Sequence, residues 1–147
     1  MVKVRETMST GVTTVPPSTP VVEIAKKMGN SNSRVVAVCD GKSFRGVVTE
    51  SDIIRRVGSA RGNPLDTPAE ALIRKGPVVS PELDLLDAAR AMVKSRVRFL
   101  PVAEHDQLVG LLTLDDLARH TPTLAAMVLI KIAEEEPQKT LWEESTS

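Results

Sequence analysis

The segment from residue 17 to residue 52 recurs 64 positions further along the chain with its marker residues in the same order. Pro17 returns as Pro81, Ala25 as Ala89, Met28 as Met92 and Arg34 as Arg98. Without a gap, the same offset carries Gly46 to Gly110, Thr49 to Thr113 and Asp52 to Asp116. A chance register does not hold over so long a window, so the chain is built from two copies of one supersecondary unit. A unit of about fifty residues buries its apolar face poorly when alone. The 147 residues therefore predict one body in which the two copies pack sheet to sheet.

Period and punctuation give the order of elements within each copy. A short extended piece, Thr13 to Val15 or Val78-Val79, closes on Pro16-Pro17 or on Ser80-Pro81. An amphipathic helix follows, with Val21, Ile24, Ala25 and Met28 apolar in the first copy and Leu85, Leu86, Ala88, Ala89 and Met92 in the second. Two runs rich in branched residues come next, Val35 to Val38 and Phe44 to Val48, matched by Phe99 to Val102 and Leu108 to Leu112. Asp40-Gly41-Lys42-Ser43 and Glu104-His105-Asp106-Gln107 between them read as hairpin turns. Each copy ends in a helix, Glu50 to Val57 or Leu114 to Arg119. The expectation is an α+β fold of two β-α-β-β-α repeats, at 1–60 and 61–122, followed by a C-terminal helix and tail at 123–147.

The stretch Gly58 to Pro64 has the Gly, Ser and Pro content of a linker, and Pro68 to Ile73 reads as a short helix leading into the second copy. Thr121-Pro122 is a helix start, with threonine able to cap and proline tolerated in the first turn. Leu124, Met127, Val128, Leu129, Ile130 and Ile132 then leave a helix apolar over most of its circumference, which predicts burial against the module's own core or against a partner. The tail beyond Pro137 is polar apart from Leu141 and Trp142 and is expected to be disordered.

Composition excludes several classes. Lysine plus arginine balances aspartate plus glutamate at 19 each, so no net field draws the chain onto nucleic acid or anionic lipid. The aromatic residues are Phe44, Phe99 and Trp142, with no tyrosine, too few for a base-stacking platform. Nucleic acid is not an expected partner. The longest apolar run, Leu124 to Ile130, is far short of the ~20 residues that span a bilayer. Cys39 is the single cysteine and the first residues lack the apolar run of a signal peptide, so a cytoplasmic protein without membrane association is expected. Cys39, His105 and His120 have no metal-ligand spacing, and no metal or cofactor is expected.

The heptapeptides Gly46-Val47-Val48-Thr49-Glu50-Ser51-Asp52 and Gly110-Leu111-Leu112-Thr113-Leu114-Asp115-Asp116, each preceded by an arginine-led strand, resemble the CBS-domain family over roughly residues 5 to 120. The resemblance implies a stand-alone tandem CBS pair, or Bateman module. Such a module is pseudo-symmetric, has two clefts, and in many members binds AMP, ADP, ATP or S-adenosylmethionine. It implies that Thr49 and Ser51 approach phosphate or ribose and that Asp52 accepts hydrogen bonds from both ribose hydroxyls. The residue types agree: Thr49 and Asp52 stand where a strand turns into a helix, whose first N–H groups attract an anion.

Arg34 is the expected phosphate partner, because a guanidinium forks onto oxyanions. Thr14, Val15, Ala37 and Val38 are the candidate adenine wall. The second site, formed by Val78, Val79, Arg98, Pro101, Val102, Thr113 and Asp116, is expected to be weaker, since Asp115 replaces Ser51 and repels phosphate. Thr-x-x-Asp ahead of a helix is equally a capping box, a role that coexists with ligand binding.

The function expected is a regulatory sensor of an adenosine compound, acting through a homodimer or an effector protein in trans. The alternative is a structural interaction module without a small ligand. No nucleophile lies near a base in the sequence pattern, so an enzyme is not expected. The one thin hydrolytic candidate is Asp115-Asp116 with Asp84 or Asp87.

Overall fold

In the computed structural model, which describes residues 1–59 and 64–135, the branched runs become strands and the amphipathic runs become helices. The first repeat comprises β1 (Thr14–Val15), α1 (Val21–Ser31), β2 (Val35–Asp40), β3 (Ser43–Thr49) and α2 (Glu50–Ser59). The second comprises α3 (Leu85–Ser95), β4 (Phe99–Glu104), β5 (Gln107–Thr113) and α4 (Leu114–His120), and α5 (Pro122–Glu135) follows. The anticipated helix at Pro68 to Ile73 is a single 3-10 turn, Ala69–Ala71. The linker reading at Gly58 to Pro64 falls partly, and the tail beyond Pro137 wholly, outside the described residues.

In the first sheet β1 runs parallel to β2, and β2 pairs antiparallel with β3. In the second, β4 and β5 form the same hairpin, and a parallel bridge from Val79 to Val102 takes the place of β1. The hairpin turns were legible, yet they differ in kind. Gly41 alone takes a left-handed φ of 60° in the first, whereas His105 and Asp106 both do so in the second, at 53° and 62°. One positive φ at the first central residue is the type II′ pattern, and two are type I′. Both hairpins slip register at the same place, between Val38 and Cys39 and between Val102 and Ala103. The slip leaves Arg45 on β3, and Val109 on β5, without a cross-strand partner, as in a β-bulge that re-aims a side chain.

Each repeat has its own apolar core, so each sheet buries one face chiefly against its own helices. Val15, Ile24, Val36 and Val48 lie in the first core, and Leu85, Met92, Leu100 and Leu112 in the second. The sheets approach each other along β3 and β5, where the Phe44 N–H donates to the Asp106 carbonyl at 2.8 Å.

The stronger tie is an exchange of leading segments. The 3-10 turn at Val4–Glu6 sits on the second repeat: the Val4 N–H donates to Leu83, Leu85 donates back to Val2, and Val4 is fully buried in the second core. Conversely, Ala69 is buried in the first core, and the Val21 N–H donates to the Thr67 carbonyl. Ser9 then bridges to Leu111 on β5, and Arg74 to Val47 on β3. These bridges press close. A Cβ at Gly46 would stand 2.4 Å from Ile73 Cγ2, and one at Gly110 2.9 Å from the Ser9 carbonyl oxygen, so both positions exclude a side chain.

Of the two fates anticipated for the C-terminal helix, its own core takes one face: Ala125, Val128 and Ile132 are buried against α3 and α4. Outside that face, Met127, Leu129 and Ile130 are exposed. Nothing comparable lies on α1 among the described residues, which is why Ala25, expected on an apolar face, is exposed while its counterpart Ala89 is buried. Leu86 is exposed as well. Thr121 does not cap α5 with its side chain; its hydroxyl donates back to the Leu117 carbonyl at 3.2 Å. No helix among the described residues is long and apolar enough to cross a membrane.

Candidate functional site

Both Thr-x-x-Asp sequences close into reciprocal caps where a strand enters a helix. The Thr49 N–H donates to Asp52 Oδ2 at 2.9 Å, and the Asp52 N–H donates to Thr49 Oγ1 at 3.2 Å. Thr113 and Asp116 repeat the pattern at 2.9 and 3.0 Å. Each threonine oxygen accepts a backbone proton and keeps its own O–H free to donate. Each aspartate spends Oδ2 on the cap and offers Oδ1 elsewhere.

What meets Oδ1 distinguishes the repeats. Asp116, with only 1% of its side chain exposed, accepts the Ser9 hydroxyl at 2.7 Å and pairs with Arg119. Asp52 pairs with Arg55, the counterpart of Arg119, and with Arg74 Nε at 3.1 Å. Segment exchange brings both partners: Ser9 and Arg74 occupy matching bridge positions beside β5 and β3. Both lie outside the 64-residue register, because these segments are related by 65 positions instead.

Two clefts lie between the repeats. The larger, of about 990 Å³, is lined by Phe44 to Val47 of β3, by Arg74 to Val78, and by Phe99, Pro101 and Ala103 of β4. The smaller, of about 390 Å³, is lined by Gly11, Val12 and Thr14, by Cys39, and by Gln107 to Gly110 of β5. Both volumes suit a small organic ligand. The clefts are composite: the strand leading to Thr49 and Asp52 faces Val78 and Pro101 of the second repeat, while the strand leading to Thr113 and Asp116 faces Thr14 of the first.

Of the expected site residues, Thr14 lines the smaller cleft and Val78 and Pro101 the larger, while Thr49, Ser51, Asp52, Thr113 and Asp116 stand beyond the lining, at the ends of the strands that wall the clefts. Arg74, paired beside Val47, leads directly to Val78 and so brings the second repeat against β3. The side chains of Val15, Val38, Val79 and Val102 point into the cores and leave only backbone for a ligand. Ala37 is buried in β2, and its N–H already donates to the Thr13 carbonyl. Ser51 and Asp115 are exposed in the first turns of α2 and α4.

Arg34 is 89% exposed with Nε 3.8 Å from Glu50, and Arg98 is exposed too. What fixes both positions is backbone: their carbonyls accept from Glu50 and Leu114, at 2.9 Å each. The charged groups that line the larger cleft among the described residues are instead Arg45, Arg74, Lys75 and Asp106, with the His105 imidazole beside them; in the smaller, Lys42 is the one charged group among them. Burial raises the Cys39 thiol above its ordinary pKa, away from a reactive thiolate. The acidic set considered for hydrolysis is dispersed: Asp84 pairs with Lys3, Asp87 with Arg90, and Asp116 caps α4. No three metal-ligating side chains converge among the described residues.

Two β-α-β-β-α units with exchanged leading segments and two composite clefts define a tandem-repeat module. Residues 4–59 and 69–122 each match the sequence profile of the CBS domain. The chain belongs to the CBS-domain family, of which it carries two tandem copies. The CBS domain-containing protein YhcV of Bacillus subtilis is 33% identical over 119 residues, which are 80% of this chain and 84% of that protein. The CBS domain protein TA0289 of Thermoplasma acidophilum superposes with a TM-score of 0.78 at 24% identity, over 93% of this chain and 79% of its own. PAE2072 of Pyrobaculum aerophilum, solved complexed with AMP, superposes with a TM-score of 0.74 at 22% identity, over 90% of this chain and 99% of its own.

Proposed function

We propose that this chain is a regulatory module that binds an adenosine compound, drawn from AMP, ADP, ATP or S-adenosylmethionine, and that it is not an enzyme. The observation that carries this is the pair of composite clefts, each reached by a strand that ends in a Thr-x-x-Asp cap. Support comes from the Pyrobaculum protein of the same fold, which was solved with AMP. In this reading Thr49, Ser51 and Asp52 hold ribose and phosphate for a base placed against Val78 and Pro101, with Arg34 able to swing in from solvent. Thr113 and Asp116 serve the second cleft with Thr14 and the β2 backbone, and Arg98 stands in the place of Arg34. Asp115 disfavours phosphate there.

Ligand occupancy is read out by a homodimer or by an effector protein in trans. The exposed Met127, Leu129 and Ile130 on α5, and Ile54 and Val57 on α2, supply apolar surface for such contacts. A lone cysteine kept as thiol fits a reducing compartment, and we place the module in the cytoplasm.

Thermal stability measured against AMP, ADP, ATP, S-adenosylmethionine and NAD is the test. A ligand at 100 times its Kd stabilises by about 2.7 kcal/mol, which moves the Tm of a chain this size by about 5–10 °C. A selective rise with one adenosine compound is the expected result. No rise with any of them at millimolar concentration would replace this reading with a structural interaction module. Sedimentation as a strict monomer at micromolar concentration would remove the homodimer.

A further inference from the structure

We propose that the larger cleft is selective for the phosphate chain of a nucleoside di- or triphosphate, and that Arg74 is the residue that sets this selectivity. The inference rests on the nucleotide reading above and goes beyond it by assigning the charge state of the ligand. Among the described residues, three cationic side chains, Arg45, Arg74 and Lys75, line this cleft against one carboxylate, Asp106. At the position of Arg45 the smaller cleft has the neutral Val109, and among the described residues its one charged group is Lys42.

The larger cleft gathers these charges by construction. Arg45 is the residue that the β3 bulge leaves without a cross-strand partner, so the slip in register orients a cation and not a core side chain. Among the described residues its guanidinium pairs with the exposed Asp40, at 3.2 Å. Lys75 has no ion-pair partner among the described residues. Arg74 holds Asp52 through Nε at 3.1 Å and is 56% exposed, which leaves the outer nitrogens of its fork for an oxyanion. Two of these cations are held by carboxylates that do not line the cleft, Asp40 and Asp52, and a bound polyanion competes for them while meeting Lys75 directly. Each further phosphate adds charge where cations already stand, whereas adenosine alone adds none.

The matching bridge position beside β5 is Ser9, a neutral hydroxyl that satisfies Asp116 and carries no charge to offer. Arg74 can exchange its bond to Asp52 for one to a terminal phosphate. Asp52 keeps Arg55 and its cap, so the exchange leaves no buried carboxylate unpaired.

The test is calorimetric titration of the full chain with adenosine, AMP, ATP and inorganic tripolyphosphate, in wild type and in Arg74→Gln. Wild type is expected to bind ATP at least about tenfold more tightly than AMP, the effect of one added charge-assisted contact, and Arg74→Gln to bring the two within about twofold. Arg45→Val, which copies the smaller cleft, is expected to reduce the ratio in the same direction and serves if Arg74→Gln does not fold. Equal weakening of adenosine, AMP and ATP in Arg74→Gln would reduce Arg74 to a structural partner of Asp52 and overturn the proposal. AMP bound as well as ATP by wild type would overturn it while leaving the nucleotide reading intact. Tripolyphosphate bound in an Arg74-dependent way without any adenosine compound would keep the anion selectivity and overturn the nucleotide reading. Binding of none of the four overturns both.

Discussion

Ser9 donates its hydroxyl to Asp116 at 2.7 Å, joining residues 107 positions apart in sequence. The bond satisfies an oxygen of a carboxylate that is almost wholly buried. Ser9→Ala is expected to lower the unfolding free energy by about 1.5–3 kcal/mol, the range for a hydrogen bond to a charged group. Urea unfolding monitored by far-UV circular dichroism measures it. A variant with the wild-type midpoint would mean that Arg119 alone satisfies Asp116 Oδ1.

Gly46 and Gly110 sit where the exchanged segments press on β3 and β5. Alanine at either is expected to cost about 1–3 kcal/mol by overpacking. Gly46→Ala is the costlier of the two, because its φ of 150° is unfavourable to a side chain and its Cβ meets the branched Ile73. At Gly110 one of the clashes is with the flexible end of Met8. Thermal unfolding of both variants ranks them, and the reverse order would show that the Ile73 segment yields more readily than the Met8 segment.

Helix α5 carries an inward face and an outward one, and their substitution separates them. Ile132 is fully buried in the second core, so Ile132→Ala is expected to cost about 2–5 kcal/mol through lost burial and the cavity left behind. Ile130 is 56% exposed, and Ile130→Ala is expected to stay within about 0.5 kcal/mol in the monomer. Chemical denaturation at low protein concentration checks both. Similar losses at the two positions would mean that the outward face is covered in solution.

Asp84 is held below the ordinary carboxylate range, chiefly by the hydrogen bond from Lys3 at 2.7 Å. A carboxylate whose folded pKa is depressed contributes stability above its unfolded pKa and loses it as pH falls through the folded value. The Tm difference between wild type and Asp84→Asn is thus expected to be largest at neutral pH and to close as pH drops below ~4. A constant difference across that range would mean that the ion pair is not what Asp84 contributes.

Much of the fold was legible because repetition and period act locally. The offset that pairs Thr49 with Thr113 predicted two hairpins, two caps and the helices that follow. The Thr-x-x-Asp boxes could be read as caps from spacing alone, and they are caps. The exchange was not legible. It is carried by 3-10 turns such as Val4–Glu6 and by one-residue bridges at Ser9 and Arg74, too short to show a period. Since the exchange decides which walls face which cap, the composite nature of the clefts was hidden with it. Arg74 and Arg45 escaped for related reasons: one belongs to a segment outside the 64-residue register, and the other owes its placement to a bulge that no alternation pattern reveals.

The exchange of leading segments also orders events in time. The first repeat is closed by Ala69, which leaves the ribosome soon after it, whereas the second is closed by Val4, made before either repeat. Val4 therefore cannot take its place against Leu83 until the second repeat has emerged, so the second core closes between residues made early and late in synthesis.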